Sequence, residues 1–372
     1  MDNQPTHTAT GVGSPDVGSG ASTPAAITSG RAFAERFDAM VANIGKVVKG
    51  KDDVIRLALV AMLSEGHVLF EDMPGTGKTV LARAIGQTIS GENSRIQCTP
   101  DLLPADVTGS TVLDRQTGEF RFRPGPVFAN VLLADELNRA TPKTQAALLE
   151  AMAEKRVTFD GVTYDLPVPF FVLATMNPIE LAGTFPLPEA QLDRFQFKLV
   201  VGYADRDAEV EVLRANQEQA AINRLEPAVT IAEVVEMIEW AKGVSISDSI
   251  LYYIADLVQA TRNDPALLMG ASTRAAESLM RASRVMAASQ GRDDVVPDDV
   301  KLLAHAVLNH RLLLTPDAQL REEQVGAVID RILHRVKVPQ GLRKEASSSA
   351  TAEPALASAS GSSSGSSAST AG

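Results

Sequence analysis

The sequence predicts an α/β domain built on a mostly parallel sheet flanked by helices, followed by a small all-helical domain. Three observations carry this expectation. Apolar runs at 67–71, 131–135 and 170–175 are continuously hydrophobic rather than alternating, which marks strands covered on both faces. The first of these runs passes through a glycine-rich loop directly into a helical pattern. Beyond about residue 202 the strand signals stop and helical periodicity takes over.

The elements follow in order. Residues 31–66 read as helical: Phe33, Phe37, Val41 and Ile44 recur at three- and four-residue spacing, 54–63 forms a second apolar stretch, and Val47-Val48-Lys49-Gly50-Lys51 between them reads as a turn. Strand 67–71 leads into Asp72-Met73-Pro74-Gly75-Thr76-Gly77-Lys78-Thr79 and then the helical Val80-Leu81-Ala82-Arg83-Ala84-Ile85. Two hairpins interrupt the α/β pattern. One spans 111–123, and the other turns at Asp160-Gly161, a strong short-range hairpin signal. Between them runs Val131-Leu132-Leu133-Ala134-Asp135-Glu136, a strand ending in two carboxylates. Thr141-Pro142 then opens a helix, with a capping hydroxyl and a proline at the first helical position. Strand 170–175 ends at Asn177-Pro178. Segments 229–242, 248–261, 273–288, 297–309 and 322–336 carry helical patterns separated by Gly, Pro and Asp breakers, and 204–217 reads as a bridging helix.

Composition sets the limits. Of 372 residues, 45% are hydrophobic and 22% charged, enough to bury a sizeable core. The two ends depart from that average. Residues 1–30 hold no Lys, Arg or aromatic side chain, and the chain from about 346 onward is nearly all Ser, Ala and Gly. Neither end can offset its ordering entropy by burial, so disorder is expected at 1–30 and 341–372. That leaves an α/β core over 31–202 and a linker helix plus lid over 203–340. No apolar run approaches the ~20 residues that cross a bilayer, and the N-terminus lacks signal-peptide character. The lone Cys98 excludes an intramolecular disulfide and an all-cysteine metal site. With the absent targeting signal it fits a reducing cytoplasm. A net charge of −11 argues against a dedicated duplex-DNA binder.

The chemistry lies in the loops at the strand ends. Residues 72–79 form a Walker A variant with Asp72 where the strict pattern has Gly. Gly75 and Gly77 let backbone N–H groups approach phosphates, Lys78 supplies charge for the β- and γ-phosphates, and Thr79 offers a hydroxyl to Mg²⁺ at a helix N-terminus. Asp135-Glu136 reads as Walker B. The aspartate suits a hard cation, and the glutamate can polarise an attacking water as general base. Asn177 could hold that water or touch the γ-phosphate, although Asn-Pro is also a common turn. Arg194 could reach a neighbour's nucleotide or pair with a nearby acid. Arg274 could reach back to the γ-phosphate or lie on the surface, and Arg139 has the same two readings. His305 and His310 are five apart, which does not place them on one helix face for a metal.

These motifs together resemble the MoxR family of AAA+ ATPases over about 31–338. The resemblance rests on Glu71 to Thr79, on Leu133-Ala134-Asp135-Glu136-Leu137-Asn138-Arg139-Ala140, on Pro142-Lys143-Thr144-Gln145, on Thr175-Met176-Asn177-Pro178, on Leu187-Pro188-Glu189-Ala190-Gln191-Leu192-Asp193-Arg194-Phe195, and on Gly270-Ala271-Ser272-Thr273-Arg274-Ala275. It implies a P-loop NTPase core with a helical lid, ATP and Mg²⁺ as cofactors, and Thr79 and Asp135 as the metal side. Lys78 and Glu136 serve catalysis, with Asn177 as sensor 1, Arg194 as arginine finger and Arg274 as sensor 2. The nucleotide contacts become Gly50 on the adenine side, with Pro74, Gly75, Thr76, Gly77, Lys78, Thr79 and Val80 around the phosphates. The resemblance also turns Arg139 toward the neighbouring subunit's nucleotide. Lys51 departs from the Gln common after that glycine.

By the same resemblance the hairpins are the helix-2 and pre-sensor-1 inserts, the assembly is a hexameric ring, and the role is chaperone-like work on partner proteins, often with von Willebrand factor A domains. Two other readings compete: a nucleic-acid motor, for which related proteins carry the same two inserts, and a nucleotide-dependent scaffold with weak hydrolysis. The hairpins mix Asp114, Glu119, Asp160 and Asp165 with Arg115, Arg121, Arg123, Lys155 and Arg156, so no clean basic stripe marks a path for nucleic acid.

Overall fold

The structure, a computed structural model, describes residues 27–71, 75–177, 183–202, 206, 210 and 224–339. The expected disorder at 341–372 and nearly all of 1–30 lies outside the described residues. So do Asp72 and Pro74 of the glycine-rich loop, and most of the bridging helix expected over 204–217.

Five parallel strands form the central sheet: β1 (Val68–Glu71), β2 (Asn93–Gln97), β5 (Val131–Asp135), β8 (Phe171–Met176) and β9 (Phe197–Leu199), in the order β2-β5-β8-β1-β9. Their side chains alternate between two buried faces. Val68, Phe70, Val131, Leu133, Phe171 and Leu173 enter one apolar cluster; Leu69, Leu132, Ala134, Val172 and Ala174 enter another. A continuous hydrophobic run is thus two half-patterns superimposed, each with the strand period of two. β2 is the exception. Its sequence Asn-Ser-Arg-Ile-Gln buries only Ile96, as suits an edge strand, and this is why the apolar signal does not reveal it.

Helices α1 (Gly30–Gly45), α2 (Asp52–Leu63) and α3 (Lys78–Thr88) pack into the first cluster. α4 (Pro104–Thr108) and α5 (Pro142–Glu154) contribute to the second. The Ser29 hydroxyl caps α1 by accepting from the Ala32 N–H at 3.2 Å. α5 begins with Pro142 at its first position, as expected, but Thr141 does not cap it through its side chain. The Thr141 hydroxyl instead lies 3.1 Å from that of Thr144, which in turn donates to the Leu102 carbonyl.

The hairpins β3 (Gly109–Leu113)–β4 (Phe120–Pro124) and β6 (Arg156–Phe159)–β7 (Val162–Asp165) form where expected. They are not independent. Phe122 of the first lies with its ring centroid 4.4 Å from Tyr164 and 5.5 Å from Phe159 of the second, and 5.7 Å from Phe128 beneath.

The short α6 (Glu189–Leu192) precedes β9, and helices α7 (Ile231–Lys242), α8 (Asp248–Arg262), α9 (Thr273–Ser289), α10 (Pro297–Leu308), α11 (Pro316–Leu320) and α12 (Val325–Arg335) follow it. A short antiparallel pair, β10 (Leu267–Met269) and β11 (Leu313–Leu314), adds a ribbon to this otherwise helical region. The helices share the first apolar cluster with α1 and α2, so one core runs from the sheet into the lid. Phe33 of α1 packs against Trp240 of α7 with centroids 5.5 Å apart.

His67, which precedes β1, stitches the second face together. Its Nδ1 accepts from the Val172 N–H at 3.1 Å and its Nε2 donates to the Met152 carbonyl at 3.2 Å, which fixes a neutral ring. Burial is the largest influence on it and pushes its pKa from 6.5 down to about 4. As pH falls, the unfolded chain takes up the proton first, so stability is lost through the window between those two values. The His67 share is about 2 kcal/mol between pH 7 and pH 5. Chemical denaturation of the wild type and of His67→Gln at both pH values checks this. The variant, lacking a titrating ring, shows a shallower loss by about that amount, whatever its baseline cost.

Candidate functional site

Because all five strands run the same way, their C-terminal ends share one edge of the sheet. The loop after β1, the end of β5 and the end of β8 meet there around a cleft of about 410 Å³. Gly75, Thr76, Gly77, Lys78, Thr79 and Val80 line one side of it, and Asp135, Glu136 and Asn177 the other. The sequence-predicted phosphate, metal and sensor-1 residues are therefore brought together. Gly75 and Gly77 have φ of 86° and 88°, a left-handed backbone that disfavours any side chain. A Cβ at either would meet nothing within 4 Å, so conformation, not crowding, selects glycine here. Gly77 is the N-cap of α3, and Lys78 and Thr79 open its first turn, where N–H groups lack intrahelical partners. Lys78 Nζ donates to Thr76 Oγ1 at 3.2 Å.

The acidic pair is held by Thr175, Arg95 and Gln97, to which the sequence reading assigned no role, and by Arg139, which it did consider. Thr175, buried in β8, donates its hydroxyl to Asp135 Oδ1 at 2.9 Å and accepts the Glu136 N–H at 2.8 Å. Arg95 of β2 donates to Asp135 Oδ2 from Nη2 at 2.7 Å and from Nε at 3.1 Å. Glu136 sits in the left-handed region at φ 54°, an uncommon and strained conformation for a non-glycine residue. Its Oε2 receives Arg139 Nε at 3.1 Å and Gln97 Nε2 at 3.3 Å. Pairing with Glu136 is thus where the structure places Arg139. The signal for Thr175 was its position two residues before Asn177, but only the β5–β8 register, with Ala134 opposite Ala174, sets it beside Asp135.

The remaining candidates lie elsewhere. Gly50, at φ 65°, falls in the turn before α2 and is not among the residues that line the cleft. Pro74 lies outside the described residues. Arg194 follows α6 and donates Nη1 to the Leu149 carbonyl at 2.9 Å. It faces a separate cavity of about 480 Å³ that it shares with Glu150, Glu154 and Arg156. Arg274, in the first turn of α9, pairs with Asp193 at 3.4 Å. Cys98 is buried just beyond β2. Burial, reinforced by the charges of Asp135 and Glu136, pushes its thiol pKa up to about 12, far from a reactive thiolate. His310 is also buried, and Nε2 donates to the Phe195 carbonyl at 2.9 Å.

The donor set suits a nucleotide with magnesium. A left-handed glycine loop opens a helix, a lysine ammonium enters the cleft, and a hydroxyl and a carboxylate supply hard oxygen ligands. Magnesium bound together with phosphates needs only one or two protein carboxylates. Among the described residues no group of three His, Cys, Asp or Glu side chains is placed to hold a metal alone. No helix among them is long and apolar enough to cross a membrane.

A glycine-rich loop between β1 and α3, an acidic pair at the end of β5 and a helical lid define an AAA-type nucleotide-binding protein. Comparison with known proteins agrees. Residues 67–197 match the ATPase family associated with various cellular activities (AAA), and residues 259–332 match the AAA lid domain. The chain is 39% identical over 307 residues to the chaperone MoxR1 of Mycobacterium tuberculosis, covering 80% of this chain and 81% of that protein. It is 47% identical over 299 residues to the uncharacterized protein YeaC of Bacillus subtilis, with 80% and 93% covered. A crystal structure of a candidate ATPase from Cytophaga hutchinsonii superposes with a TM-score of 0.79 at 38% identity, covering 84% of this chain and 97% of that one. The chain belongs to the MoxR family of AAA+ ATPases.

Thr175 gives the sharpest test of the site's internal wiring. Replacing it with Val keeps the shape but leaves Asp135 and the Glu136 N–H each short of a partner. Steady-state kinetics of Thr175→Val are expected to show turnover at least about tenfold lower, with little change in KM for ATP.

Proposed function

We propose that this chain hydrolyses ATP with Mg²⁺ in a head-to-tail ring and uses the cycle to remodel partner proteins. The observation that carries the reading is the convergence of Lys78, Thr79, Asp135, Glu136 and Asn177 on one cleft. Lys78 and the first N–H groups of α3 bind the phosphates. The Thr79 hydroxyl and the Asp135 carboxylate would hold magnesium, which would supply positive charge to offset the charge on the phosphate oxygens. Glu136 takes a proton from the attacking water, and Asn177 orients that water against the terminal phosphate.

Arg194 is the residue supplied to the neighbour. It faces a cavity apart from its own chain's nucleotide cleft, which supports a role in trans. An arginine there stabilises transition-state charge, and each heterologous contact passes to the next subunit until the ring closes, as a hexamer in this reading. Arg274 senses the terminal phosphate from the lid.

The chaperone-like role is supported by the relative named chaperone MoxR1, and the motif resemblance alone suggests proteins with von Willebrand factor A domains as the client class. The work takes place in the cytoplasm, where ATP and Mg²⁺ are supplied. The hairpin arginines do not favour a nucleic-acid motor. Arg121 pairs with Asp114 at 3.6 Å and Glu119 at 3.9 Å, and Arg156 pairs with Glu154 at 3.3 Å.

In a phosphate-release assay Glu136→Gln is expected to lose at least about a hundredfold in turnover while retaining ATP, and Lys78→Ala to lose ATP binding. Turnover that survives Glu136→Gln unchanged removes the catalytic assignment. Mixing inactive Arg194→Ala with inactive Lys78→Ala subunits restores part of the activity, because a junction in which the Arg194→Ala subunit supplies the cleft and the Lys78→Ala subunit supplies the arginine is intact. Mixtures that stay inactive speak against the shared site.

A further inference from the structure

The carboxylate of Asp193, the residue before Arg194, is held by lid side chains. Its Oδ1 accepts from Arg311 Nε at 2.7 Å and from Ser272 Oγ at 3.0 Å. Its Oδ2 accepts from Ser272 Oγ at 3.0 Å and from Arg274 Nη1 at 3.4 Å. The two arginines differ in kind. The Arg311 side chain is 2% exposed and also donates to the carbonyls of Asp193 at 3.1 Å, Phe195 at 2.7 Å and Gln196 at 3.0 Å. Those carbonyls bracket Arg194. A buried guanidinium with this many partners does not leave them, because it would be stranded as an uncompensated charge. The Arg274 side chain is 49% exposed and touches Asp193 through one long contact, so little opposes its departure.

We infer that Asp193 is a positioning residue that holds Arg274 until a nucleoside triphosphate competes for it, and that it ties this exchange to the segment carrying Arg194. The inference rests on the reading of Arg274 as the lid's phosphate sensor. The γ-phosphate carries more charge and more acceptor oxygens than a carboxylate, so it outcompetes Asp193 for an exposed arginine; a diphosphate has no γ-phosphate to offer. Once Arg274 moves, Asp193 keeps Arg311 and Ser272, while the first turn of α9 is released from one of its ties to residue 193. The occupancy of one cleft thereby reaches the backbone on either side of the arginine that serves the next.

The test compares ATP and ADP affinity, with Mg²⁺, in full-length Glu136→Gln protein that does not turn over. Arg274→Ala lowers the preference for ATP. Asp193→Asn, nearly isosteric but uncharged, raises that preference by roughly threefold, the scale of a half-exposed ion pair. The rise disappears in the double variant, since no Arg274 remains to be freed. An unchanged preference in Asp193→Asn, or an equal rise without Arg274, overturns the inference. If Arg274→Ala itself leaves the preference unchanged, the sensor reading is what fails.

A second measurement leaves Asp193 and its buried partner intact. At saturating nucleotide, ATP but not ADP alters amide hydrogen exchange across residues 191–197, and Arg274→Ala erases that difference. An ATP-specific change that persists in Arg274→Ala also overturns the inference.

Discussion

The structure depends on a sheet whose strands are buried on both faces and all point the same way. In β1, β5 and β8 double burial demands an apolar side chain at nearly every strand position, which leaves their polar chemistry at the strand ends. Parallel direction then places those ends on one edge. Asp135 and Asn177 lie close together because β5 and β8 are neighbours, and the glycine loop joins them because β1 flanks β8 on its other side. The cleft follows from how the sheet must be covered and connected, and its chemistry from which few residues lie just past the last apolar position.

The same burial constrains how the lid can work. The first apolar cluster runs without a break from Phe70 and Phe171 of the sheet through Phe33 and Phe37 of α1 to Leu257, Leu279 and Val307 of the lid. Opening such a core would expose large apolar area, so motion between the two parts is confined to small rotations that keep it covered. Polar ties sharpen the constraint. The Gly30 N–H at the start of α1 donates to Asp293 at 3.1 Å. Glu65 receives Lys155, at the foot of the second hairpin, at 2.5 Å and Lys242 of α7 at 3.0 Å. Burial alone would raise the Glu65 pKa, but the two lysines outweigh it and hold the carboxyl below its usual range. A lid tied to the hairpin base through one carboxylate is well placed to pass small rotations outward.

What the sequence makes legible is what local order encodes. The glycine loop, the strand ending in Asp135-Glu136 and the Asp160-Gly161 turn are contiguous signals, and each lies where its pattern indicates. What it hides is set by tertiary neighbours. Arg95 and Gln97 sit on an edge strand too polar to read as one, and Thr175 matters only through the register of β5 with β8. Phe122 reads as one residue of a hairpin, yet its ring stacks on the other hairpin and makes the two a single unit. The Thr141 hydroxyl shows the opposite failure: a correct helix start for which Pro142 suffices, so the side chain is free for Thr144.

The electrostatics of the cleft explain why the side chains that meet the two carboxylate tips include Arg95, Gln97 and Arg139. Two adjacent carboxylates facing the cleft would repel a phosphate ligand at short range. Arg95 on Asp135 and Arg139 on Glu136 offset that repulsion without occupying the glycine loop. They also fix the carboxylates in place: Glu136 is already in a left-handed conformation, and its N–H is anchored on Thr175. Strain of this kind persists only where the surroundings hold it, and here a buried threonine, an amide and an arginine do so. A carboxylate whose direction is set before substrate arrives does not spend reaction free energy on reorienting, which is what the general-base role proposed for Glu136 requires.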